Sequence, residues 1–317
     1  GGHDRHYPLY DVSEEMGGEK ALREGIERAH RAGQRVILYT NGQLRDMSSD
    51  WHQTVGLETA AVSERGEPFG ESWQKYRDAP VRLMTYACQS AAAWSDLLLS
   101  LARKVESLGA DGILFDQLGI CQPPFCFSDR HGHDGPARAT GPGVTANLIR
   151  IQREMHAVNP DFIIMVEVVN DGINQYADFT HGCGPSFSPG EPGFPELLRF
   201  TWPELLVTQR HDAPAIDRES VNWACLYGLA HEVEYRYGPD RSYVEQRQPP
   251  EVIDYARVCG FPPAHIETMR RTDAGSCFAY LRSVIAFERR HADLFRGGAF
   301  RDTLGFDLDN PALVAKA

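Results

Sequence analysis

Hydrophobic and polar positions follow two rhythms along this chain. Residues 17–33 (GGEKALREGIERAHRAG) set Ala21, Leu22, Ile26 and Ala29 on one helical face, stop at Gly33 and lead into QRVILYTNGQ, an apolar run that turns polar. That pattern predicts a helix feeding a buried strand. It recurs at residues 91–108 (AAAWSDLLLSLARKVESL), which end at Gly109 before ADGILFDQLG, and at residues 145–158 (TANLIRIQREMHAV), which Asn159-Pro160 break ahead of DFIIMVEVVND. Shorter strands are expected at 177–181 (ADFTH) and 205–209 (LLVTQ), a helix at 195–200, and further helices at 221–234 and 277–294. Residues 58–87 differ: two alternating segments flank a Gly-Glu-Pro turn, which predicts a β-hairpin excursion.

Strands that are apolar throughout and alternate with helices indicate an α/β protein with a parallel sheet, either a (β/α)8 TIM-type barrel or a doubly wound sheet. The chain has no G-x-G-x-x-G and no G-x-x-x-x-G-K-[ST] loop, which argues against a nucleotide-binding doubly wound fold. Its strand ends carry Asn41, Gln43, Asp116, Gln117, Glu167 and Asn170, as at the working face of a barrel. The expected organisation is a barrel over residues 1–240 with a helical C-terminal extension over 241–317 packed on it.

The 317 residues are 42% hydrophobic and 24% charged, enough apolar material for a large core. No window reaches the roughly 18 uninterrupted apolar residues of a membrane helix. Lys and Arg total 32 against 44 Asp and Glu, a net charge of −12 without basic clusters, which speaks against nucleic acid or an anionic membrane as partner. A homo-oligomer is compatible with the composition. Seven dispersed cysteines, an odd number, and a polar N-terminus without a leader pattern favour a cytoplasmic setting. Cys121 and Cys126 in CQPPFC could form a disulfide or half of a metal site, with no second pair at zinc-finger spacing.

Asp116 follows Gly112-Ile113-Leu114-Phe115 and Glu167 follows Ile163-Ile164-Met165-Val166, so each acid ends a buried strand. An ionised carboxylate there is costly unless paired or useful. Strands joined by one crossover helix are usually neighbours, so the two acids can approach as the paired carboxylates of glycoside hydrolysis do. A strand-end acid can equally cap a helix or pair with an arginine. Asn41 and Gln43 could bind sugar hydroxyls or satisfy the turn at Gly42, and Gln117 would face away from the acids if its strand continued. His131 and His133 in HGHD lie in the long loop after Asp116, where substrate-binding residues are expected. H-x-H also allows a metal-dependent hydrolase in which both histidines join Asp116 or Glu167, with His181 and His211 as further donors. Among the aromatics, Trp51, Trp73, Trp94, Trp202 and Trp223 suit core packing, whereas Tyr86 is expected to wall a pocket.

The motifs YTNGQLRD, GADGILFDQLG, CFSDRHGHDGP, NPDFIIMVEVVND and LLRFTWPELLVTQR together resemble the glycosidase-like barrel domain of an uncharacterised bacterial carbohydrate-active family. That family is similar to the retaining α-glycosidases of the endo-α-N-acetylgalactosaminidase and α-amylase kind. The resemblance implies that Asp116 is the nucleophile after the fourth barrel strand and Glu167 the acid/base after the fifth. The substrate expected is a carbohydrate, with Asn41, Gln43, Tyr86, Gln117, His131, His133 and Asn170 as the candidate binding residues and no cofactor or metal needed. The similarity spans residues 7–210 and starts at the third strand, residues 36–40, so the expected barrel lacks its first strands. A non-catalytic carbohydrate-binding barrel is the alternative outside enzymes.

Overall fold

The computed structural model describes residues 7–73, 80–120, 125–182, 195–212, 216–235, 274–304 and 307–310. The chain falls into two compact units whose boundary lies at Thr180 and His181.

In the first unit, α1 (Gly18–Arg31) leads to β1 (Ile37–Asn41), α3 (Ala92–Ser107) to β5 (Gly112–Asp116), and α4 (Gly141–Val158) to β6 (Ile163–Glu167). All three predicted helix–strand units form. Together with β7 (Phe179–His181), these strands make one sheet in the order β1-β5-β6-β7, with β1 parallel to β5 and β5 parallel to β6. Every residue of β5 from Gly112 to Phe115 is buried, as a parallel strand covered on both faces must be. Trp94, Leu98, Ile113, Phe115, Leu148 and Val166 are fully enclosed and form the middle of the core, with Trp51 edge-on to Trp94 at 5.8 Å.

The hairpin excursion is larger than the alternation suggested. β3 (Gly70–Trp73) and β4 (Arg82–Tyr86) pair antiparallel, and β2 (Leu44–Asp46), outside the predicted segment, pairs with the other edge of β4. A short helix, α2 (Asp50–Thr54), capped by the Ser49 hydroxyl, connects β2 to this excursion. The strand starts are tied by acids with plainly structural partners. Asp111 accepts from Val36 N and contacts His30 Nε2, both at 2.7 Å, and Asp178 accepts from Ile164 N at 2.6 Å.

In the second unit, α5 (Pro195–Thr201) precedes β8 (Thr208–Asp212), three residues further along than its apolar run implied. One prediction fails. Residues 221–234 are not one helix: α6 (Arg218–Leu226) ends where Gly228 turns left-handed at φ 61°, and β9 (Ala230–Glu234) pairs parallel with β8. Gly228 accepts that φ without a Cβ penalty, and the alternation in AHEVE then suits a strand. The C-terminal pattern yields α7 (Ala274–Arg290) and α8 (Ala292–Gly297), with Phe278 and Leu281 of α7 packed on Ile216 and Val221. Cys121, Cys183 and Cys259 lie outside the described residues. The described strands thus group as a four-stranded sheet, a three-stranded antiparallel sheet and a two-stranded parallel pair, a mixed α/β fold.

Candidate active site

The polar ends of β1, β5 and β6 lie side by side. Asn41 is in register with Asp116, and Phe115 with Val166, so the next residues along, Asp116 and Glu167, close two adjacent parallel strands. Each acid is half-buried. Asp116 Oδ2 accepts a hydrogen bond of 2.7 Å from the Tyr39 hydroxyl and a longer one of 3.5 Å from Asn41 Nδ2. Burial, and then the charge of Asp116, push the Tyr39 phenol far above its ordinary pKa, so it stays a donor. Tyr7 Oη lies 2.8 Å from Tyr39 Oη, and because the Tyr39 proton is committed to Asp116, Tyr7 is the donor there. A chain of phenol donors, Tyr7 to Tyr39, therefore ends on the Asp116 carboxylate.

Glu167 is held differently. Its Oε2 accepts from the backbone N–H of Gln117 at 3.2 Å. Gln117 sits in the left-handed region at φ 60°, and Val168, immediately after Glu167, at φ 67°. A side chain, above all a β-branched one, is strained there, and such strain concentrates at functional sites. The strand after Asp116 stops instead of continuing. This turn aims the Gln117 N–H at Glu167 and brings its side chain back to Asn41 Nδ2 at 3.3 Å and to Glu71 Oε1 at 3.3 Å. Gly119 completes the close approach, since a Cβ there would fall 1.9 Å from the Glu167 carbonyl oxygen.

A third carboxylate, unnoticed in the sequence, joins this group. Glu71 of β3 accepts from Trp73 Nε1 at 2.8 Å, from the Tyr86 hydroxyl at 2.7 Å and from Gln117 Nε2. Burial, with Glu71 next in weight, raises the Tyr86 phenol well above its usual pKa, which keeps it a donor. Asn41 Oδ1 accepts from Gln43 N and Leu44 N at 2.8 and 2.7 Å, so Asn41 both closes the turn and orients Asp116. Gln43 is buried, bonds through Nε2 to the Gln117 carbonyl, and leaves its Oε1 without a partner among the described residues. Asn170 Oδ1 accepts from Gly172 N and Ile173 N within the same loop.

His131 and His133 gather elsewhere, with Cys88 and Cys126, in a group of potential ligands that includes neither Asp116 nor Glu167. Cys126 is drawn below the usual thiol range by the hydrogen bond from Cys88 and, against the effect of burial, by His131. His181 pairs with Glu232 in the second unit, and His211 with His231 at 2.9 Å. The set of histidines around the two acids that a metal-dependent hydrolase would require is not assembled in these residues. Tyr39 and Glu71 were missed because each is informative only through its partner. Tyr39 stands two residues before Asn41, on the same face of β1, which was the one available signal.

One carboxyl group held by a phenol and an amide, on the strand next to another held by a backbone N–H, is a pair chemically suited to nucleophilic attack and proton transfer. Comparison with known proteins agrees with the resemblance read from the motifs. The chain is 26% identical over 131 residues to a Bacteroides thetaiotaomicron protein named "Putative glycoside hydrolase", covering 41% of this chain and 18% of that protein. Its fold is similar to that of the alpha-N-acetylgalactosaminidase NagBb from Bifidobacterium bifidum, with a TM-score of 0.56 at 18% identity over 86% of this chain and 42% of that one. It is also similar to an alpha-galactosidase from Lactobacillus brevis, with a TM-score of 0.51 at 12% identity over 92% of this chain and 35% of that one. The chain thus has a glycosidase-like fold and spans less than half the length of these relatives. Residues 1–171 of its 317 match the family described as "Domain of unknown function (DUF6259)", and the chain belongs to that family.

Proposed function

We propose that the chain carries the catalytic part of a retaining glycoside hydrolase acting on an oligo- or polysaccharide, arranged as part of a (β/α)8-type barrel. The observation that carries this reading is the pair Asp116 and Glu167 at the ends of adjacent parallel strands, each carboxylate supplied with its own donors. Asp116 attacks the anomeric carbon while Glu167 protonates the departing glycosidic oxygen, leaving a glycosyl ester on Asp116. Glu167, now a carboxylate, takes a proton from water, which hydrolyses the ester with net retention. Asn41 and Gln117 orient the two acids, and Trp73, 39% exposed beside Glu71 and Tyr86, offers an apolar face to a pyranose ring. The α-linked substrates in the names of the structural neighbours make aryl α-galactosides and α-N-acetylgalactosaminides the first compounds to assay.

Asp116→Asn and Glu167→Gln should each lower aryl-glycoside turnover on the order of 10³-fold with an unchanged far-UV spectrum. Azide separates the roles: with an α-glycoside, Asp116→Gly should yield the β-glycosyl azide and Glu167→Ala the α-glycosyl azide. Turnover within tenfold of wild type in either isosteric variant would remove that residue from the chemistry.

A further inference from the structure

Cys88, Cys126, His131 and His133 come from two distant stretches of chain and meet inside the first unit. Cys88 follows β4, its N–H bonded to the Thr59 carbonyl at 2.8 Å, whereas the other three belong to the loop that leaves Asp116. Their ligand atoms all lie within 4.8 Å of one another. Both thiols are free, Cys88 at 2% exposure and Cys126 at 0%, which makes them inaccessible as nucleophiles toward any substrate.

The geometry suits a tetrahedral ion. Zinc bond lengths of about 2.3 Å to sulfur and 2.0–2.1 Å to nitrogen imply ligand–ligand edges of about 3.3–3.8 Å. The Cys126 Sγ to His131 Nδ1 distance is 3.4 Å. On its other side His131 points Nε2 at the Glu58 carbonyl, 2.8 Å away, the outer partner that fixes the tautomer leaving Nδ1 free to ligate. His133 supplies the second observation. Both of its ring nitrogens are buried and have no hydrogen-bond partner among the described residues, an arrangement that costs free energy unless something else binds them. One side of its ring borders a cleft shared with Gln89, Ser90 and Arg138, which gives an ion a route to the fourth ligand.

We propose that these four residues form a closed structural zinc site of the Cys2His2 type. Two thiolates and two imidazoles are the donor set that zinc selects, and a full set of four protein ligands leaves no open position for catalysis. The site would fasten the loop after Asp116 to the segment after Tyr86. Among the described bonds, that from the Ser90 hydroxyl to the Ala139 carbonyl at 3.1 Å already joins these two segments. The proposal is independent of the glycosidase reading, because metal content is measured without substrate.

The test is elemental analysis of the untagged protein purified without chelator. The expected content is about one zinc per chain, falling to roughly a tenth or less in His133→Ala and Cys126→Ser and unchanged in Cys225→Ser. Cobalt exchanged into the wild-type protein should show intense tetrahedral d–d bands together with thiolate-to-cobalt charge transfer, so the proposal stays testable even if a variant fails to fold. Wild-type protein with less than about a tenth of an equivalent of zinc would overturn it. So would a Cys88–Cys126 disulfide recovered quantitatively by peptide mapping, or cobalt spectra without thiolate bands.

Discussion

The Tyr39 hydroxyl donates to Asp116 Oδ2 at 2.7 Å, across 77 residues of sequence, while Tyr7 stands behind it as donor in turn. A hydrogen bond to a charged group contributes about 1.5–3 kcal/mol, and here it falls on the carboxylate proposed as nucleophile. Tyr39→Phe should therefore lower kcat about tenfold to a hundredfold and leave KM within a factor of about three. Steady-state kinetics on an aryl glycoside decide it: an unchanged kcat would reduce Tyr39 to a packing residue.

Glu71 holds Tyr86, Trp73 and Gln117 at once and touches neither proposed catalytic acid among the bonds described. Its loss should loosen the pocket wall rather than the chemistry. Glu71→Gln is expected to raise KM about tenfold with kcat nearly constant, because a charged acceptor is replaced by a neutral one. The reverse pattern, a lowered kcat at constant KM, would make Glu71 part of the reacting group.

Gly119 lies against the backbone of Glu167, and an added Cβ would fall 1.9 Å from its carbonyl oxygen. Backbone cannot give way as a flexible side chain does. Gly119→Ala should cost about 1–3 kcal/mol of stability, and the displaced Glu167 should lower kcat as well. Denaturant midpoints measure the first effect, and a midpoint equal to that of the wild type would contradict the close approach.

His211 is 2% exposed, and burial, then the neighbouring His231, bring its pKa from the ordinary 6.5 down to about 4, although Asp217 and Glu232 favour the charge. The folded state binds the proton less readily than the unfolded chain does, so the stabilisation is complete above about pH 6.5 and is lost as pH falls toward 4. The gap corresponds to roughly 3 kcal/mol. His211→Gln should flatten the decline in unfolding free energy between pH 7 and 4.5, measured by urea titration. Parallel pH profiles for variant and wild type would refute this.

What could be read directly from the sequence is local in origin. The three helix–strand units and the strand-end positions of Asp116 and Glu167 follow from apolar periodicity, Gly and Pro stops and the rule that consecutive parallel strands are neighbours. Those signals act over a few residues, and they came out as expected. Where local patterns compete, they mislead: residues 221–234 have helical periodicity, and only the left-handed turn at Gly228 and pairing with β8 convert 230–234 to a strand.

Tertiary structure alone decided which polar groups meet. Tyr39 reaches Asp116 because β1 and β5 share a register, Glu71 reaches Gln117 across 46 residues because the excursion folds back, and His131 finds Cys126 and Cys88 rather than the carboxylates. Asn170 Oδ1 meets the backbone N–H groups of Gly172 and Ile173, which only the turn of its loop brings to it. Periodicity specifies which face of an element is buried. The side chains that converge at the end of a sheet depend on register and on turns such as those at Gln117 and Val168, where the backbone leaves the conformations that sequence patterns describe.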